Sequence, residues 1–137
     1  MILLDTNVLS ELLRPDPDQR VIDWVDAHTD QAHVPAQVLA EILYGARLLE
    51  DHRRRSTLMH AIGLQLIRFD DRIVPFDRAA AESYGPLKAR MRQAGTPLPE
   101  VDAQIAATAM AHEAPLATRN LKDFERTGIA LIDPWSA

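Results

Sequence analysis

The chain has 137 residues, a length that fits one domain with a substantial hydrophobic core. Its 20 acidic and 15 basic residues give a net charge of −5, which argues against nonspecific nucleic-acid binding, although acids clustered at a metal site would give the same total. Cysteine is absent, which excludes disulfides, thiolate nucleophiles and thiolate metal ligands.

No targeting or membrane segment is expected. The apolar run at residues 1–4 is too short for the apolar region of a signal peptide, and no basic stretch precedes it. No apolar run approaches transmembrane length. We therefore expect a cytoplasmic protein that folds as a single domain over residues 1–137.

The first predicted elements are a buried strand and two helices. Residues 2–4 are apolar and predict a short strand, and Thr6 or Asn7 can cap the helix that follows. Residues 14–17 contain two prolines and end that helix. Asp18 is a good cap for a second helix.

The middle of the chain alternates strand and helix in the same way. Residues 32–35 predict a weak second strand, followed by a helix from about Ala36 with apolar residues at helical spacing. The charged residues 51–55 lie between two helices or along one. Residues 72–76 predict a third strand, and Asp77 is a good cap for the next helix.

The last part of the chain completes the pattern. Gly85-Pro86 lies inside a helical pattern and predicts a kink or restart there. A loop at residues 95–99 leads into a helix rich in small residues, which can lie close against a sheet. Residues 115–118 and 129–132 predict the fourth and fifth strands, with one helical turn at 121–124 between them.

Short apolar strands alternating with amphipathic helices predict an α/β fold, with a mainly parallel sheet and helices on both faces. Such sheets bind ligands beyond the carboxyl ends of their strands. Asp5 follows the first predicted strand, and Thr118 and Asn120 lie at the end of the fourth. We therefore expect these residues near a ligand site.

Four acidic residues stand at unusual places, although each alone has an ordinary explanation. Asp5 could simply cap the first helix, and Glu41 could be a solvent-facing helical residue. Gly45, one turn after Glu41, is unusual because a mid-helix glycine costs about 1 kcal/mol relative to alanine and usually makes room for something. Asp102 aligns with a buried stripe, yet could also be a first-turn acid facing the positive end of its helix. Asp123 could form a capping pair with Asn120.

One divalent cation would explain all four acids together. Mg²⁺ and Mn²⁺ prefer hard oxygen ligands and commonly use one or two carboxylates, with water completing the shell. Water activated at such an ion can attack a phosphodiester. The net negative charge is then consistent with a nuclease.

Each of the four acids lies in a distinctive segment: Leu4-Asp5-Thr6-Asn7, Glu41-Ile42-Leu43-Tyr44-Gly45, the stretch 97–109 around Asp102, and the stretch 118–124 from Thr118 to Phe124. These segments resemble the signature blocks of the PIN-domain ribonucleases, and most closely the VapC toxins of type II toxin–antitoxin systems in their FitB-like branch. Their order and spacing match along essentially the whole chain.

The resemblance implies a PIN-like three-layer sandwich with a five-stranded parallel sheet. It implies Mg²⁺- or Mn²⁺-dependent RNA cleavage that leaves a 5′-phosphate and a 3′-hydroxyl. Asp5 and Asp102 would bind the metal directly, Glu41 would hold the metal or orient water, and Asp123 would act through water or a second ion. The hydroxyls of Thr6 and Thr118 would support the metal ligands. Asn7 and Asn120 would organise the backbone of the pocket. Arg119 would contact a phosphate or form a structural salt bridge.

Partners are also implied by the resemblance. Family members are commonly homodimers, which form a heterotetramer or larger assembly with a small VapB-type antitoxin. The antitoxin's C-terminal segment wraps the toxin and often places a basic residue in the acidic pocket. This is electrostatically reasonable because an arginine can replace a missing cation.

Other interpretations remain open at this point. A dehalogenase-type phosphatase would need a second acid where Asn7 stands, and a receiver domain would need an acidic pair and a late lysine, neither of which is evident. A catalytically silent binding module would keep the fold without the chemistry. Residues 53–55 could contact RNA, but such a basic run is more often a solvated helix face. Trp24 and Trp135 are interpreted as packing residues.

Overall fold

A computed structural model describes residues 1–137 and contains five strands that form one parallel sheet. The strands are β1 (Ile2–Leu4), β2 (Ala32–Pro35), β3 (Ile73–Val74), β4 (Leu116–Ala117) and β5 (Leu131–Ile132). Seven helices connect and flank them: α1 (Thr6–Leu12), α2 (Gln19–Ala27), α3 (Ala36–Arg47), α4 (His52–Arg68), α5 (Arg78–Gln93), α6 (Glu100–Ala111) and α7 (Leu121–Phe124). The predicted α/β class with a parallel sheet is confirmed.

The strand order β3-β2-β1-β4-β5 places β1 at the centre of the sheet. The chain builds outward from β1 to β3 on one side and then crosses to β4 on the other side of β1. This reversal creates a crevice between the carboxyl ends of β1 and β4, where open parallel sheets bind their ligands. The backbone N–H of Asp5 extends the pairing by donating to the carbonyl of Ala117 at 2.9 Å.

The hydrophobic core is one cluster of 29 buried residues contributed by the sheet and the helices. All three residues of β1 are buried, as expected for a central strand covered on both faces. The small residues of α6 allow α5 to pack along it more extensively than any other pair of elements in the fold. The sequence predicted that these residues let α6 lie close against the sheet, whereas the main neighbour of α6 is another helix, α5.

Two predictions about helix ends and continuity need correction. The cap of α1 is Asp5, whose carboxylate accepts from the N–H of Thr6, so neither Thr6 nor Asn7 is the cap. Helix α5 continues through Gly85-Pro86 without a restart. Burial of Leu87 and Met91 beyond the proline keeps the chain helical despite the missing backbone N–H.

Asp18, Asp51 and Asp77 cap α2, α4 and α5 by accepting hydrogen bonds from backbone N–H groups in the first turn. The predicted caps at Asp18 and Asp77 are therefore confirmed. The charged residues 51–55 are resolved as the cap and first turn of α4. None of the seven helices combines the length and apolar character needed to cross a membrane.

Candidate active site between the ends of the first and fourth strands

Asp5 is the buried centre of the candidate site, with only 4% of its surface exposed. One carboxylate oxygen accepts from the backbone N–H of Thr6 at 2.8 Å. The other accepts from the hydroxyl of Thr118 at 2.7 Å and from the side-chain amide of Asn7 at 3.3 Å. Burial raises the pKa of Asp5, and the hydrogen bonds from Thr118 and Thr6 oppose that rise.

Asn7 and Thr118 join the ends of β1 and β4. The side-chain oxygen of Asn7 accepts from the N–H of Arg119 at 3.2 Å, and its amide nitrogen approaches the Thr118 hydroxyl at 3.3 Å. The same hydroxyl accepts from the N–H of Asn120 at 3.0 Å. These bonds fix the backbone after β4 relative to the start of α1.

Asn120 takes part through its backbone. Its side chain makes no hydrogen bond and does not cap α7, so the alternative of a capping pair with Asp123 is wrong. The backbone N–H of Asp123 instead donates to the Asn120 carbonyl at 3.1 Å.

Glu41 reaches the site from α3, where its side chain is exposed. The hydroxyl of Thr6 donates to one of its carboxylate oxygens at 2.7 Å, which orients Glu41 toward the start of α1. Gly45, one turn later, is exposed, and a Cβ there would meet no atom of the chain within 4 Å. Gly45 therefore makes no room for any group of this chain.

Asp102 lies on the first turn of α6 and is partly buried. Burial, reinforced by the negative charges of Asp5, Glu41 and Asp123, raises the pKa of Asp102 to about 6. Asp123 is exposed on α7, and its charge is the weakest of these influences. The other three predicted acids thus each raise the pKa of Asp102, and Asp123 does so least.

An open cleft of about 420 Å³ lies over this network. Three of the four predicted acids line it, and Asp123 does not. The full lining is Asp5, Thr6, Asn7, Ser10, Glu11, Arg14, Glu41, Asp102, Arg119, Asn120 and Trp135.

Sequence reasoning missed four residues of that lining: Ser10, Glu11, Arg14 and Trp135. Three of them share one face of α1 and its C-terminal extension with Asn7, at spacings of three, four and seven residues. That polar stripe on an otherwise apolar helix is a signal that could have identified them. Trp135 has no comparable signal, since its position depends on how the chain folds back after β5.

The guanidinium carbon of Arg119 lies over the Trp135 ring, 5.0 Å from the ring centroid. Such a contact is attractive because the ring face is electronegative. Arg119 forms none of the salt bridges in the structure, so the alternative of a structural ion pair is wrong. Trp24 and Trp135 are 7% and 6% exposed, which confirms them as packing residues.

The donor chemistry of the cleft fits a hard divalent cation. No group of three or more Asp, Glu, His or Cys side chains is placed so that all of them could hold one metal ion. Mg²⁺ does not require one, because it usually keeps several waters and takes one or two carboxylates. Asp5 and Asp102 both line the cleft and would supply such carboxylates. A cation bound there would offset the negative charges that, after burial, raise the pKa of Asp102.

Comparison with known proteins identifies the family. The PIN domain family matches residues 2–130. VapC ribonuclease Y4jK of Sinorhizobium fredii is 37% identical, with 98% of each chain covered. Toxin FitB of Neisseria gonorrhoeae is 35% identical, with 98% of this chain and 99% of FitB covered.

Solved structures agree with this assignment. The crystal structure of FitAcB from Neisseria gonorrhoeae matches with a TM-score of 0.91 at 35% identity, covering all of both chains. VapBC2 of Rickettsia felis, bound to a DNA fragment from its promoter, matches with a TM-score of 0.85 at 26% identity, covering 96% of this chain and 98% of that one. Together with the residues that the family model matches, these similarities show that the chain belongs to the PIN-domain family, among the VapC-type toxins that include FitB.

Proposed function

We propose that this protein is a metal-dependent endoribonuclease and the toxin of a toxin–antitoxin pair. It hydrolyses RNA phosphodiester bonds with Mg²⁺ or Mn²⁺ and leaves a 5′-phosphate and a 3′-hydroxyl. The observation that carries the proposal is the crowding of Asp5, Glu41 and Asp102 at one open cleft, where Asp102 has a pKa raised to about 6. Perturbed carboxylates in a cleft are typical of functional sites.

The relatives support the chemistry. Several relatives that cover nearly the whole chain have names that describe ribonucleases, including VapC ribonuclease Y4jK and the tRNA(fMet)-specific endonuclease VapC of Shigella flexneri, which is 25% identical over 98% of this chain. RNA is therefore the substrate class that we assign to the cleft.

Asp5 and Asp102 are the residues that we assign to direct binding of the ion. Glu41, oriented by the Thr6 hydroxyl, holds the ion or positions the attacking water, and Asp123 acts through water or on a second ion. When bound, the ion lowers the pKa of water and stabilises the leaving oxygen. Thr118 holds the Asp5 carboxylate in one orientation.

The same comparisons support an antitoxin as partner. Solved structures similar to this chain include toxin–antitoxin complexes, among them FitAB bound to the IR36 DNA fragment. We propose that this toxin forms a homodimer and is inhibited by a VapB-type antitoxin, in a heterotetramer or a larger assembly. A basic antitoxin residue inserted among the carboxylates would replace the cation electrostatically.

The test is cleavage of a mixed pool of structured and single-stranded RNA by antitoxin-free protein, with Mg²⁺, with Mn²⁺ and with EDTA. We expect wild type to cut only with metal and Asp102→Asn to have lost cleavage. The matched control is Glu100→Gln, which removes an exposed carboxylate from the same helical turn and should cut like wild type.

Two results would contradict the proposal. Cleavage by Asp102→Asn at the wild-type rate would show that the site is assigned wrongly. Absence of cleavage by folded wild type, on this pool and on transfer RNA, would favour a binding module without catalytic activity.

A further inference from the structure

Two arginines line the acidic cleft. Arg14 lies just beyond the end of α1, and Arg119 follows β4. Both side chains are exposed. A cleft with several carboxylates repels the phosphates of an approaching nucleic acid, so fixed cations at its edge would favour substrate binding.

Arg14 is held at the cleft by a buried carboxylate. Glu11 is 5% exposed, and its two oxygens lie 3.4 and 3.5 Å from one terminal nitrogen of Arg14. Glu11 also accepts from the backbone N–H of Asp18 at 3.0 Å, so it has a second partner. The long contacts occupy one nitrogen of Arg14, while 63% of its side chain stays exposed, so its remaining N–H groups are free to bind an anion.

Arg119 is held in a different way. Its guanidinium lies over the buried Trp135 ring, and its backbone N–H is fixed by Asn7. The guanidinium makes no hydrogen bond or salt bridge within the chain. Because the contact with the ring uses no hydrogen bond to a protein acceptor, the N–H groups of Arg119 remain available for a phosphate.

We propose that Arg14 and Arg119 bind backbone phosphates of the RNA that occupies the cleft. The inference rests on the proposed ribonuclease function and deepens it, because it assigns the cations that position the substrate beside the carboxylates. A planar guanidinium can donate two parallel hydrogen bonds to one phosphate, which a lysine cannot do. Both arginines are therefore substrate-binding residues.

The test is RNA affinity, measured separately from cleavage. Binding of a short, fluorescently labelled, single-stranded RNA of randomised sequence is followed by anisotropy as salt is raised, in the Asp102→Asn background. The added substitutions are Arg14→Gln, Arg14→Lys and Arg119→Gln. Arg126→Gln is the matched control, since Arg126 is exposed and its side chain has no partner.

We expect Arg14→Gln and Arg119→Gln each to weaken binding by about tenfold. Each should also reduce the slope of log binding constant against log salt concentration by about 0.7, the value for one lost phosphate contact to a single strand. Arg14→Lys should weaken binding while keeping the salt dependence, because it retains the charge but loses the planar fork. Arg126→Gln should bind like its parent.

Circular dichroism of each variant separates loss of binding from loss of folding. If Arg14→Gln does not fold, Arg14→Lys serves in its place, because it keeps a cation beside Glu11. If the parent binds RNA, unchanged affinity and salt dependence in Arg14→Gln, Arg14→Lys and Arg119→Gln would overturn this inference and leave the ribonuclease proposal standing. Absence of RNA binding by the parent with Mg²⁺ as well as in EDTA would overturn this inference, and absence of cleavage by wild type with Mg²⁺ or Mn²⁺ in the separate cleavage assay would overturn the ribonuclease proposal with it.

Discussion

Asp102 has a pKa well above that of an ordinary surface carboxylate. Its pKa is raised from 3.8 to about 6, so the folded protein binds this proton more tightly than the unfolded chain does. Stability from this group is therefore present at low pH and is lost as the pH rises from 3.8 to about 6. At neutral pH the metal-free fold carries an unfavourable charge.

We expect Asp102→Asn to raise the melting temperature of the metal-free protein at neutral pH, and the gain to shrink as the pH falls toward 3.8. Thermal melts in EDTA across this range measure the effect. Glu100→Gln controls for removal of one negative charge from the same turn. A gain that is equal at every pH would contradict the assignment to titration of Asp102.

Thr118 supplies the hydroxyl that stabilises the buried Asp5 carboxylate. Thr118→Val keeps the shape and removes the donor, so we expect a loss of about 1–3 kcal/mol in the free energy of unfolding. Urea denaturation measures it. Thr108→Val is the matched control, since Thr108 is equally buried but donates only to a carbonyl of its own helix, that of Gln104. Equal losses in the two variants would mean that the Thr118–Asp5 hydrogen bond contributes no more to the free energy of unfolding than the Thr108–Gln104 bond does.

The sequence predicted site residues correctly where a polar side chain directly follows a predicted strand. Asp5 and Thr118 were placed correctly near each other because parallel strands end at one edge. Glu11 was missed because its burial depends on the backbone of Asp18, which the sequence does not reveal. Asp123 was expected beside the other acids but lies outside the cleft lining, since the short helix α7 exposes it.

At the scale of elements, apolar runs and capping residues predicted the alternation of strands and helices, and the structure confirms it. The predicted strands at residues 72–76, 115–118 and 129–132 each contain an observed strand of only two residues. Strand length depends on which neighbouring backbone groups are in reach, which one sequence does not show. Of the kink or restart expected at Gly85-Pro86, the restart did not occur, because burial along α5 outweighs the local preference.

The cap of α5 gives a prediction at this scale. The Asp77 carboxylate accepts from the N–H of Ala80 at 3.0 Å. We expect Asp77→Ala to lower the free energy of unfolding by about 1 kcal/mol with little effect on RNA cleavage. Urea denaturation and the cleavage assay measure the two effects, and Asp70→Ala, at an exposed position without a side-chain hydrogen bond, is the control. Loss of activity at unchanged stability would show that Asp77 has a functional role instead.

At the scale of the whole molecule, metal binding should increase the stability of the folded state. A cation that binds the folded chain and not the unfolded one stabilises it by about 2.7 kcal/mol at one hundred times its dissociation constant. We therefore expect Mn²⁺ to raise the melting temperature of wild type and to raise that of Asp102→Asn much less. Differential scanning calorimetry with Mn²⁺, compared with EDTA, tests this. Equal shifts in both proteins would place the ion elsewhere.

The sheet order also bears on how the protein is made. The hydrogen bond between Thr118 and Asp5 joins residues 113 positions apart, and the crevice exists only after β4 has paired beside β1. During synthesis, the first four-fifths of the chain can emerge and fold locally without a completed cleft. The cleft to which we assign RNA cleavage is therefore complete only after almost the entire chain has been translated.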